Sequence, residues 1–326
     1  MRLIDTHAHY FPAPYLQWLR ELSGQSDQPQ ALRNIATECQ KRVANNPQMT
    51  DIEQRVGEMD RLGIDTDILS VGNLDVSLAE EGSVHLARSS NEDLAVITED
   101  FPGRFLALGA VPLNDPDAAC EELDHMMGTV GMVGVMIPTH VAGVPLDDSR
   151  FADFFGLAEA RGAVLSIHPG LPHYVSNLTD YGLVPLVGFV ADTGIAVMRM
   201  VMSGMMERLS DLKLIVPHMG GMLHYLFTRI DAGWETNHDV RRNLPFAPSQ
   251  YLRRMFFDLV NVSPQNLQCA VSLVGSEHLV FGTDYPFFTG RLNVATAMDA
   301  MAEIGLDDHE KALISHVNAE TLFATN

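Results

Sequence analysis

What most constrains this chain is a rhythm: eight short apolar runs recur along its 326 residues, and most are followed by an amphipathic, helix-like stretch. The runs are residues 2–4, 67–71, 105–111, 133–137, 163–167, 212–216, 255–258 and 279–282. Several are dense in β-branched residues without strict alternation, the pattern of strands covered on both faces. The amphipathic stretches are 51–62, 83–99, 116–127, 151–160, 195–209 and 293–304. Strands alternating with helices, with no break in composition, predict an α/β fold: a single (β/α)8 TIM barrel over residues 1–326. A doubly wound sheet is the competing architecture, but no GxGxxG follows an early run. Two insertions interrupt the rhythm. Residues 13–50, rich in Gln and Asn, are expected to form helices and loops over the barrel mouth. Residues 169–192, with Pro169, Gly170, Pro172, Gly182, Pro185 and Gly188, are expected to form a pocket lid.

Charge narrows the partners. Acidic residues outnumber basic ones 42 to 21, for a net charge of −21, a field that repels nucleic-acid phosphates and anionic lipid surfaces. Cys39, Cys120 and Cys269 are odd in number and contain no CxxC pair, so they are expected to be free thiols of a reducing compartment. The start, MRLIDTHAHYFP, does not read as a signal peptide, and no run of about 18 uninterrupted apolar residues indicates a membrane span. A cytoplasmic protein is expected.

The strongest chemical signal is Asp5-Thr6-His7-Ala8-His9, directly after the first run. In an extended segment residues i and i+2 share a face, about 6.5–7 Å apart at Cα, so two imidazoles can converge on one metal. Three other strand ends carry candidates: His168 in SIHPG, His218 in VPHMGG and Asp284 in FGTDYPF. In a closed barrel these ends meet at one mouth, bringing His7, His9, His168, His218 and Asp284 around a common point. Three neutral imidazoles and a carboxylate suit one divalent ion, Zn2+ or Mn2+, with a position left for water or substrate.

These motifs, with EMDRLGI at 58–64, make the chain resemble the amidohydrolase superfamily, specifically its branch around aminocarboxymuconate semialdehyde decarboxylase. The resemblance implies that His7, His9, His168 and Asp284 are the metal ligands and that His218 is the acid/base histidine. It implies a mononuclear site, because two-metal members use a carboxylated lysine at the end of strand four. None of Lys41, Lys213 and Lys311 is near that place, which reads VMIPTH at 135–140. His140 is expected in a loop or supporting role and Asp258 in a structural one. Arg229, eleven residues after His218, matches an arginine that reaches into the neighbouring subunit and binds a substrate carboxylate, so a homodimer or larger homo-oligomer is implied. The bland reading of Arg229 is an exposed helix arginine. The family's second carboxylate-binding arginine aligns with Val43, one residue from Arg42. His173 and Tyr174 are either lid residues that enter the pocket or plain loop residues. The apolar segment 196–206 reads as core, or as a dimer helix.

The expected activity is that of a metal-dependent decarboxylase acting on a small unsaturated or aromatic carboxylic acid, such as a carboxymuconate semialdehyde or a hydroxybenzoate. Asp284 and His218 would move the protons, and protonation at carbon would precede C–C cleavage. The alternative is a metal-dependent hydrolase or hydratase acting on a lactone, ester, amide or C–C ketone. A non-catalytic scaffold is a third reading, which the complete HxH/His/His/Asp set argues against.

Overall fold

The computed structural model describes residues 2–72, 74–129, 131–287 and 294–324. Eight strands form one parallel sheet in chain order: β1 (Ile4–Tyr10), β2 (Thr66–Val71), β3 (Phe105–Gly109), β4 (Met132–Pro138), β5 (Val164–His168), β6 (Lys213–Val216), β7 (Phe256–Asp258) and β8 (Leu279–Val280). The sheet closes on itself beyond β8. The Thr6 amide donates to the Phe281 carbonyl at 2.9 Å, the His9 amide to Tyr285 at 2.8 Å and the Asp284 amide to His7 at 2.8 Å. This is the (β/α)8 barrel that the alternating pattern predicts.

One inward residue from nearly every strand fills the barrel. Ile4, Ile68, Leu108, Val133, Val164, Ile215 and Val280 form a separate apolar cluster, closed below by Leu322 and Phe323 near the C-terminus. Branched side chains at these points pack the interior as a core, not a pore. Helices cover the outside, and their ends follow ordinary capping rules. Asp51 caps Ile52–Leu62 by accepting from the Gln54 amide, and Gly63 ends that helix at φ 74°, a conformation glycine adopts at little cost. Asp115 and Pro116 start Pro116–Met127 in the same manner.

Several boundaries differ from the sequence reading. The first strand runs from Ile4 to Tyr10, so the HxH pair lies inside it rather than after it. The 13–50 insertion folds into two helices, Ala13–Gly24 and Gln30–Asn45, packed through Tyr15, Leu19 and Leu22 against the same core as Leu32, Ala36 and Cys39. The second insertion is shorter than expected, because a π-turn at Val184–Gly188 leads straight into the helix Phe189–Met202. Two outer helices, Leu223–Thr236 and Pro264–Val274, were not among the amphipathic stretches. The first buries only a narrow stripe of Leu223, His224 and Phe227, too little to mark a face by sequence. The last stretch was expected to begin at Asn293, which lies outside the described residues; its helix is described over Val294–Glu303.

The continuous helical segment Val184–Met202 is long and apolar enough to cross a membrane by length and composition, but Asp192 and Arg199 interrupt it, so it is not the uninterrupted apolar run that the sequence was read as lacking. Its packing is that of a barrel helix. Ala196, Val197, Met200 and Val201 are buried in the core, and buried Asp192 accepts a hydrogen bond from Thr139 at the end of β4.

Candidate metal centre

Strand phase decides which side chains reach the mouth. In β5, inward Val164 puts Ser166 and His168 on the same face, and beyond β8 inward Val280 does the same for Gly282 and Asp284. In β1 strict alternation from inward Ile4 would point Thr6 and Ala8 inward and both histidines outward. The pairing with β2 prevents this. Asp5 faces Asp67 and Ala8 faces Leu69, so β1 carries one extra residue across that step. This β-bulge switches the phase and turns His7 and His9 into the barrel.

The four predicted ligands then meet. One donor atom from each of His7, His9, His168 and Asp284 lies within 4.8 Å of the others, and all four residues are buried. The His7 and His9 Nε2 atoms are 3.2 Å apart, and Asp284 Oδ1 is 3.5 Å from the first and 3.1 Å from the second. The outer ring nitrogens set the tautomers. His7 Nδ1 donates to Asp258 Oδ2 at 2.6 Å. His9 Nδ1 donates to Ser70 Oγ at 3.0 Å, since the Ser70 hydroxyl proton goes to the Ala8 carbonyl. Both Nε2 lone pairs therefore point at one spot beside a carboxylate. Facing lone pairs repel unless a cation lies between them, so the donor set fits a divalent ion of the first transition row.

Charge in the centre follows the same logic. Burial alone lowers His7, but the Asp258 hydrogen bond and the charges of Asp284, Asp258 and Asp5 outweigh it and push its pKa up to about 9. Burial lowers His9, and burial with the neighbouring imidazoles holds His168 well below the usual range. Burial raises Asp284, yet the nearby His218 imidazole, the hydrogen bond from His9 and the charge of His7 overcome this and keep it ionised well below the usual carboxylate range. The site favours one positive charge at its middle.

His218 stands beside the ligands rather than among them. Its Nε2 is 3.7 Å from Asp284 Oδ2, and its buried Nδ1 has no partner among the described residues. His218, Met219 and Asp284 all have positive φ, at 55°, 56° and 56°. Such backbone costs roughly 1–3 kcal/mol per residue and collects at functional sites, where the surrounding fold holds it in place.

A buried layer supports the centre from behind. Asp5 accepts from the His7 and Thr283 amides and from the Thr283 hydroxyl, tying β1 to the turn that carries Asp284. Burial and the nearby charge of Asp67 lift Asp5 to about 7. Arg55 is the counter-charge: it pairs with Asp67 at 2.6 Å and lies 4.0 Å over the Tyr285 ring. Gly282 lets this layer close, since a Cβ there would come within 2.9 Å of Asp258 Cβ and 3.1 Å of His7 Cβ.

The remaining candidates fall elsewhere. His140 donates from Nε2 to the Leu171 carbonyl and accepts the Gly143 amide at Nδ1, so both nitrogens are used outside the ligand set. His173 stacks on it with centroids 5.0 Å apart and is otherwise exposed, while Tyr174 donates to the Gly188 carbonyl. Arg229 is exposed on the helix Leu223–Thr236, outside its own mouth. Arg42 lies 5.4 Å over the Phe287 ring, which itself sits 5.3 Å from His9, so it stands at the rim. Asp258 carries more than the structural part expected of it, since it orients His7. Ser70 and Arg55 were missed. The inward parity of β2 and the Arg-x11-Asp spacing were visible signals for them, but neither marks a site without the fold.

Residues 4–325 match the amidohydrolase family. Gamma-resorcylate decarboxylase of Rhizobium sp. (strain MTP-10005) is 30% identical over 298 residues, covering 84% of this chain and 88% of that protein. The 2-amino-3-carboxymuconate-6-semialdehyde decarboxylase of Dictyostelium discoideum is 28% identical over 266 residues, covering 81% and 74%. Among solved structures, 5-carboxyvanillate decarboxylase from Sphingomonas paucimobilis superposes with a TM-score of 0.91 at 26% identity, covering 100% of this chain and 99% of that one.

Proposed function

The chain belongs to the amidohydrolase family, and from that premise we propose that it is a metal-dependent carboxy-lyase acting on a small unsaturated or aromatic carboxylic acid. The observation that carries the reading is the convergence of His7, His9, His168 and Asp284 on one buried spot with His218 alongside. In this reading those four residues hold the ion, zinc or manganese, which when bound polarises substrate oxygens as a Lewis acid. His218 is the acid/base group, with Asp284 Oδ2 near enough to share a proton after a small closure. The proton goes to the carbon that bears the carboxylate. The C–C bond then breaks, its electron pair returns to the ring or conjugated chain, and CO2 leaves. Burial of the centre excludes bulk water and strengthens each charge interaction.

The proposal extends to a cytoplasmic homodimer. Three cysteines, odd in number and without a CxxC pair, support a reducing compartment. Tyr225, 90% exposed, lies one helical turn before Arg229, with exposed Met222 three residues before Tyr225, an apolar surface suited to a second copy beside a cation. Arg229 would then reach the partner's mouth and hold a substrate carboxylate.

The test is CO2 release from a panel of hydroxybenzoates and carboxymuconate semialdehydes by metal-loaded protein. Turnover of lactones or esters without CO2 release would move the reading to a hydrolase. Light scattering at a monomer mass would remove the dimer proposal, and an Arg229→Ala protein with wild-type KM would remove the role of Arg229; both leave the metal chemistry intact.

A further inference from the structure

Between the C-terminal ends of β2, β3, β4 and β5 lies a cavity of about 20 Å³. Its lining includes Val71, Leu74, Ala110 and Met136, with Asp75 and the ligand His168 as its ionisable residues. The space suits one water molecule or one small substituent, since a water needs roughly 10–15 Å³ of this measure. Asp75 precedes the turn Val76–Gly82 and accepts the Ser77 amide at 3.1 Å. The Ser77 amide and hydroxyl together use at most two of the about four hydrogen bonds that a carboxylate can accept. Among the described residues no Lys or Arg pairs with it and none lines the cavity.

We propose that this cavity is a subsite for one small hydrogen-bond-donating substituent on the substrate, a hydroxyl or an amino group, with Asp75 as its acceptor. The inference rests on the carboxy-lyase reading and narrows its substrate class. The cavity adjoins a metal ligand, so a ring held at the centre would direct one of its edges here. With His168 turned to the metal, Asp75 is the ionisable lining residue left to meet a substituent. A group of similar size that cannot donate would strip water from the carboxylate and leave it unpaired, the situation in which sites discriminate most strongly. Burial lifts the Asp75 carboxyl to about 6, with the Ser77 amide and hydroxyl pulling it back, so near pH 8 it is ionised and only accepts.

The test uses salicylates that carry fluoro, amino or hydroxyl at each remaining ring position. Binding to metal-loaded protein is measured by calorimetry at pH 8, with CO2 release followed in parallel. At one ring position the amino and hydroxyl compounds should bind about tenfold or more tightly than the fluoro compound. Asp75→Asn keeps an oxygen for the Ser77 amide but turns an NH2 group to the cavity. In that variant the amino compound should fall to the fluoro level, while the hydroxyl compound, which also accepts, should fall less. Ala110→Val, which narrows the cavity, should weaken every substituted compound at that position and leave salicylate itself unchanged. If no position separates amino from fluoro, or Asp75→Asn separates them as wild type does, the subsite is overturned while CO2 release still decides the carboxy-lyase reading. A preference that depends on Asp75 without CO2 release upholds the subsite and overturns decarboxylation. A protein that binds none of the compounds overturns both.

Discussion

Asp258→Asn should weaken metal binding in a manner that only a pH series makes plain. In the wild type, the proton on His7 competes with a metal ion for the same Nε2 position. With that pKa near 9, the proton must be displaced across about two pH units at pH 7. The logarithm of wild-type affinity should therefore rise by about one per pH unit up to pH 9 and then level off. Asn at position 258 has one oxygen, which can still accept from His7 Nδ1, but its NH2 then replaces the Oδ1 that accepts the Val260 amide at 3.1 Å, and the negative charge is lost. Outer carboxylates of this kind are worth about 10–100-fold in metal affinity, so the plateau should fall by that factor. The same loss lowers the His7 pKa, so the break should move below pH 9. At pH 7 the two effects oppose each other, and a single measurement there would understate the change. Titration against a fluorescent chelator from pH 6 to pH 10 measures both quantities. A variant with the wild-type plateau and the wild-type break would refute the role of Asp258 in orienting and charging His7.

Other perturbations test separate parts of the structure. His168→Ala and Asp284→Asn should each bring bound metal from about one ion per chain to a small fraction, with the circular dichroism spectrum preserved; undiminished metal content in either would refute the ligand set. Arg55→Met should cost about 3–5 kcal/mol in urea denaturation, because it leaves the buried carboxylates of Asp67 and Asp5 without their counter-charge, and a loss under about 1 kcal/mol would contradict this. His224 packs between Phe227 and Phe257, and burial lowers its pKa to about 4. The unfolded chain takes up this proton near pH 6.5 and the folded chain only near pH 4, so stability should be lost as pH falls through that window, by about 3 kcal/mol in all. His224→Phe should remove that increment from the acid limb of the stability curve, and an unchanged limb would show that His224 does not contribute.

Much of this protein is legible along the chain because its signals are local or periodic. Apolar runs that start 24 to 65 residues apart specify a parallel barrel, since strands buried on both faces need no alternation and the intervening helices need only one apolar stripe. His168, His218 and Asp284 are legible because the ends of barrel strands must share one mouth. Residue type and position therefore named five candidates, and the resemblance to the amidohydrolase superfamily singled out the four that the structure brings within reach of one another.

The tertiary structure decided what depends on phase and on long-range pairing. A single extra residue in β1, invisible without its partner β2, determines whether His7 and His9 face the barrel or the helices. Asp258 becomes the partner of His7 only because β7 lies beside β8 and Gly282 leaves room between them, 251 residues along the chain from that histidine. The reach of Arg55 to Asp67 and the cavity beside Asp75 likewise arise from packing between elements. Sequence carries the kinds of atoms available and the rhythm in which they recur, whereas register and close approach come into being only when the barrel closes.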